Sequence, residues 1–108
     1  MRAWPLVALL CASACDERLS SSDGRTLFLA VCARCHGPDG RGDPIEQARL
    51  GVPDMTEPAW QAARSDEDIR KTIVEGSKSK KMPAFGTTSF RPEQIEVLVR
   101  YVRGLKRD

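Results

Sequence analysis

Cys32-Ala33-Arg34-Cys35-His36 places two thiols and the chain's single histidine within five positions. The spacing C-x-x-C-H is that of c-type haem attachment. Two intervening residues set both sulfurs near one turn of helix, about 5.4 Å of rise, which suits two vinyl groups on one edge of a porphyrin. His36 follows directly, so its imidazole is placed to reach the iron. Three other chemistries compete for these residues. A thioredoxin-like dithiol needs a βαβ context, and no alternating, strand-like runs flank the motif. A zinc site needs a second pair of ligands. A structural disulfide accounts for Cys32 and Cys35 and leaves His36 without a role.

Two methionines lie beyond the motif, Met55 and Met82. Thioether ligation raises a haem's reduction potential relative to a second histidine, while the ordinary role of a methionine is packing. Met82 sits in Lys80-Lys81-Met82-Pro83-Ala84-Phe85-Gly86, where Pro83 stiffens the chain and Gly86 ends the loop. Met55, in Pro53-Asp54-Met55-Thr56, reads as a core contact. Spacing alone leaves the choice between them open.

The elements that must position these groups read as helices. A first helix begins near Ser22, whose hydroxyl caps it, and Leu27, Phe28 and Val31 form a face leading into the motif. Residues 37–44, rich in Gly, Pro and Asp, are a loop by every turn signal. Its carbonyls are expected to accept from the second nitrogen of His36, fixing the tautomer, with Pro44 as a stiffener. Ser65 opens a second helix, with Asp66, Glu67 and Asp68 favouring its N-terminal end. Ile69, Ile73 and Val74 form its buried stripe, and Gly76 stops it. A third helix runs from Pro92 to about Leu105. Its apolar residues Ile95, Leu98, Val99, Val102 and Leu105 follow i, i+3, i+4, i+7, i+10. A short helix is expected between Asp54 and Ser65, with Trp60 in the core or at a haem edge. The fold class is therefore all-α: three main helices, a short helix and loops around one covalent haem.

The N-terminus reads as an address. Arg2 is a positive n-region, residues 6–11 form most of an apolar h-region, and Ala12-Ser13-Ala14 is a small-residue cleavage site. Residues 1–14 are thus expected to be a signal peptide. Cys15 resembles the lipid-accepting cysteine of a lipoprotein box, although Ala12 stands where leucine is usual. Lipidation of Cys15 would anchor residues 22–108 to a membrane leaflet through a polar tether, residues 15–21. Export to a bacterial periplasm follows. In 108 residues there is room for one domain. A net charge of +2, without a basic stripe interleaved with aromatics, argues against nucleic acid.

On these residues the chain resembles the class I cytochrome c family in its short bacterial single-haem form. Gly24, Phe28, Cys32, Cys35, His36 and Gly37 match its glycine, aromatic and C-x-x-C-H-G pattern, and Pro38-Asp39-Gly40-Arg41-Gly42 continues it. Pro53-Asp54-Met55-Thr56, Ile73, Gly76, Met82-Pro83-Ala84-Phe85 and Tyr101 also fit. The resemblance implies that Met82 is the sixth ligand opposite His36, and that Gly24 lets the first and last helices approach near Tyr101. One departure is Arg91, where the family usually has a capping Ser or Thr before Pro92. The implied function is electron transfer through one haem c, with no small-molecule substrate, because a bound Met82 leaves no open iron position. Lys78, Lys80 and Lys81 would steer an acidic redox partner. A haem subunit of a larger oxidoreductase is an alternative, as is a gas sensor if Met82 is displaceable.

Overall fold

The computed structural model describes residues 18–108, and regular structure among them is helical throughout. The all-α expectation holds. The leader and Cys15 lie outside the described residues, and the expected tether is described only from Arg18 onward.

The helical stretch that carries the motif is α1 (Gly24–Leu27), a π-helical turn (Phe28–Cys32) and α2 (Ala33–His36). Its cap is Asp23, not Ser22. The Asp23 carboxylate accepts from the Thr26 amide at 3.0 Å and from the Thr26 hydroxyl at 2.7 Å. A capping side chain reaches the amide three positions ahead, and Asp23, not Ser22, stands three before Thr26. These bonds hold the Asp23 carboxyl below its ordinary pKa. The π turn is closed by the Ala33 amide donating to the Phe28 carbonyl. One residue inserted into a helix rotates everything after it by about 100°. Phe28 stays in the core, 1% exposed, while Cys32, Cys35 and His36 come out half-buried at its edge.

Pro44 is the first residue of a helix, α3 (Pro44–Leu50), where the turn-rich sequence suggested loop. Asp43 caps it, accepting from Ile45 and Glu46, and Pro44 fits the first turn because its missing N–H would go unbonded there anyway. The expected short helix around Trp60 is α4 (Pro58–Ala62). In α5 (Asp66–Glu75) Ser65 and Asp68 form a reciprocal capping box, Ile69 and Ile73 are buried, and Gly76 ends the helix. A short α6 (Gly86–Ser89) precedes α7 (Pro92–Gly104).

Helix α7 is the organising element, packing against both α1 and α5. Its apolar stripe, Ile95, Leu98, Val99 and Val102, is buried as its spacing predicts. Each such side chain contributes about 1.5–3 kcal/mol by leaving water. A Cβ at Gly24 would lie 3.0 Å from the Tyr101 Cβ and 3.2 Å from Val97, so only glycine lets α1 come this close. Phe28 and Tyr101 stack beside that crossing at 5.0 Å between ring centroids. The arginine at the head of α7 leaves its cap to Gln94, which is 2% exposed. The Gln94 side-chain oxygen accepts from the Arg91 amide at 2.8 Å. Its nitrogen donates to the carbonyls of Leu19 at 2.8 Å and Ser21 at 3.0 Å, fastening the incoming chain to the helix. On the opposite side Arg70 joins α5 to α7 through a fork onto Glu96.

Candidate cofactor site

The motif straddles the junction of the π turn and α2. Cys32 closes the turn; Cys35 and His36 occupy the last turn of α2, which Gly37 terminates at φ 75°. Both cysteines are free thiols. Burial, and then the neighbouring Cys35, push the Cys32 thiol up to about 11, so it stays protonated at neutral pH. Burial pushes His36 below the ordinary imidazole value, which keeps it neutral with a lone pair free for a metal.

The loop after the motif folds back onto it in a way the sequence reading did not foresee. The Gly42 amide donates to the His36 carbonyl at 2.7 Å, and the Asp43 amide to the Cys35 carbonyl at 3.0 Å. The loop therefore satisfies the orphan carbonyls of a helix end rather than accepting from the imidazole ring. The His36 Nδ1 is buried without a partner. Among the described residues the other such buried side-chain nitrogen is the Trp60 Nε1. Trp60 is half-buried in α4, with the Arg64 guanidinium stacked 4.7 Å over its ring.

The two methionines separate cleanly. Met55 is 5% exposed within the core, its amide donating to the Gly40 carbonyl at 2.9 Å. Met82 is half-buried at the rim of the same apolar cluster, against which Cys32, Trp60 and Phe85 also pack. It lies on the loop between α5 and α6. Lys78, Lys80 and Lys81, on the same loop, are exposed.

Buried polar nitrogens without partners are costly; His36 follows Cys35 directly, and Trp60 packs on the same apolar cluster as Cys32 and the half-buried Met82. That donor set fits a covalently held haem: thiols for the vinyl groups, nitrogen and sulfur for the iron, and an indole N–H for a peripheral carboxylate. Among the described residues, no group of three or more His, Cys, Asp and Glu is arranged to hold a bare metal ion. The sequence places Trp60 in the core or at a haem edge without marking its N–H, and it gives no sign of Ser77. The indole N–H of Trp60 shows itself only once the fold buries it, and Ser77, which grips the Met82 backbone, becomes visible only when the loop closes.

The profile of the family described as cytochrome c oxidase, cbb3-type, subunit III, matches residues 20–102. A cbb3-type cytochrome c oxidase subunit CcoP of Rubrivivax gelatinosus is 32% identical over 82 residues, which are 76% of this chain and 25% of that protein. A FixP subunit of the same oxidase type from Azorhizobium caulinodans is 31% identical over 99 residues, covering 92% of this chain and 32% of its own length. The chain thus spans about a quarter to a third of the length of the curated relatives it matches. Among solved structures, the KustC0563 c-type cytochrome is 38% identical, with a TM-score of 0.71 over 79% of this chain and 99% of its own.

Proposed function

Because the chain belongs to the class I c-type cytochromes, within the family of cbb3-type oxidase subunit III, we propose that it is a single-haem electron carrier. In this reading Cys32 and Cys35 hold the haem through thioether bonds, and His36 and Met82 ligate its iron. The observation that carries it is a half-buried imidazole, its Nδ1 buried and unpartnered, directly after two free thiols on one helical stretch.

Haem, when bound, supplies a reversible one-electron iron couple, and thioether ligation poises it higher than a second histidine would. The chain's part is positional. Cys32 and Cys35 fix the group to the helix that α7 clamps. His36, held neutral by burial, would offer the iron a nitrogen, and the α5–α6 loop would offer the Met82 sulfur. The buried Trp60 N–H, which has no protein partner, would be free to donate to a carboxylate of the haem periphery. With both iron positions filled by protein, no site is left for a small-molecule substrate. Lys78, Lys80 and Lys81, exposed on the loop that carries Met82, would steer an acidic partner protein.

We place the domain in the periplasm, exported by residues 1–14, with lipidation at Cys15 tethering it to the membrane. A second reading, as a haem subunit within a larger oxidoreductase, is favoured by the names of the relatives. Co-purification with a membrane oxidase from a native source distinguishes it from a free carrier. The carrier reading itself is tested by optical potentiometric titration followed by carbon monoxide addition. A single one-electron wave, with no rapid binding to the reduced protein at neutral pH, is expected. Rapid carbon monoxide binding would favour a gas sensor with a displaceable Met82.

A further inference from the structure

The segment that carries Met82 is closed by a neck of two residues. At Gly76, φ is 80°, and a Cβ there would sit 2.8 Å from the Met82 carbonyl oxygen and 3.0 Å from the Ala84 nitrogen. The returning chain therefore lies directly on the backbone at the end of α5. The next residue, Ser77, grips Met82 from both sides. The Ser77 amide donates to the Met82 carbonyl at 3.1 Å. The Met82 amide donates to the Ser77 hydroxyl at 3.0 Å. Four residues bulge between them, turned by the Ser77 carbonyl accepting from the Lys80 amide at 3.0 Å. Lys80 takes a left-handed conformation, φ 63°, that a lysine rarely adopts without such constraint. Beyond the neck, the Phe85 amide donates to the Ile73 carbonyl at 3.0 Å, pinning the exit to α5.

From this geometry we propose that Ser77 is the positioning residue for the Met82 sulfur: its hydroxyl fixes the backbone that aims the thioether, and so sets how readily Met82 gives way to an outside ligand. The inference rests on Met82 being an iron ligand. The backbone grip through the Ser77 amide survives replacement of the side chain by alanine, threonine or valine, but the hydroxyl grip survives only threonine. Without it the part-buried Met82 amide loses its acceptor, and the neck closes on one bond instead of two.

Imidazole binding to the oxidised, haem-loaded protein, read from the visible spectrum, measures displacement of the sixth ligand. Ser77→Ala is expected to raise imidazole affinity roughly fivefold, the equivalent of one net hydrogen bond, and to lower the reduction potential. Ser77→Thr, which keeps a hydroxyl, should stay within about twofold of the parent, below the smallest effect expected of one net hydrogen bond. Should Ser77→Ala fail to accumulate with haem, the isosteric pair Ser77→Thr and Ser77→Val makes the same comparison. Met82→Ala is run beside them. If it raises affinity strongly while the hydroxyl-less variants match the parent, Ser77 is merely structural and the proposal is wrong. If Met82→Ala itself changes neither affinity nor the sulfur-to-iron charge-transfer band, the ligand assignment fails first and takes this inference with it.

Discussion

The helical stretch from Gly24 to His36 and the loop from Gly76 to Phe85 supply the two sides of one proposed haem site, and they are built on opposite plans. In the first, three functional side chains fall within five consecutive residues, and a continuous helical backbone holds them. Their spacing is their geometry. In the second, a single sulfur is aimed by contacts between residues five to twelve positions apart: Gly76 under Met82, Ser77 on both its backbone groups, and Ile73 on Phe85. No repeat or periodicity in the chain encodes such a neck. One side is rigid because it is local, and the other only because it is closed, so the two should break differently.

The largest effect is expected on the local side. Replacing Cys32 and Cys35 together by alanine removes both thioether anchors, and acid-acetone should then extract the haem that the parent retains. Retention in the double variant would show that these thiols are not the anchor.

Next come the two methionines. Met82→Ala should abolish the sulfur-to-ferric-iron charge-transfer band and lower the reduction potential, with little loss of stability because Met82 lies at the rim of the core. Met55→Ala should do the reverse, costing about 2–5 kcal/mol in denaturant unfolding for a core cavity while the band persists. Exchanged outcomes would move the ligand to Met55.

The two glycines sharpen the contrast further. Gly76→Ala combines a left-handed conformation with a clash against the Met82 carbonyl, and should cost roughly 1–3 kcal/mol while weakening the charge-transfer band. Gly24→Ala presses on Tyr101 at the α1–α7 crossing and should cost a similar ~1–3 kcal/mol, leaving the band unchanged. A band lost in Gly24→Ala, or untouched in Gly76→Ala, would show that the loop is not closed as described.

The smallest effect belongs to the loop's surface. Reversing the charges of Lys78, Lys80 and Lys81 should slow electron transfer to an acidic partner at low salt and much less at high salt, where screening removes long-range steering. An equal effect at both salt concentrations would remove the docking role.

The same contrast governs how much could be read from the chain. The motif, the Ser65 cap, the Gly76 stop and the α7 stripe are local signals, and each appears in the fold where its residues stand. Asp43 followed by Pro44 was also a readable helix start, but the surrounding glycines and prolines weighed toward loop. The π turn escaped because one inserted residue does not disturb a short apolar pattern. The hold of Gln94 on Leu19 and Ser21 spans more than seventy residues and has no local trace. The imidazole partner was misjudged because a loop's turn composition says nothing about whether its amides or its carbonyls face the helix end.

Intact mass under denaturing conditions tests the central claim most directly, because only a covalent bond survives the loss of the fold. The mature protein should weigh its cleaved chain plus one haem, and any lipid on Cys15 would appear in the same spectrum. A mass without haem, from a preparation coloured before denaturation, would contradict attachment through Cys32 and Cys35.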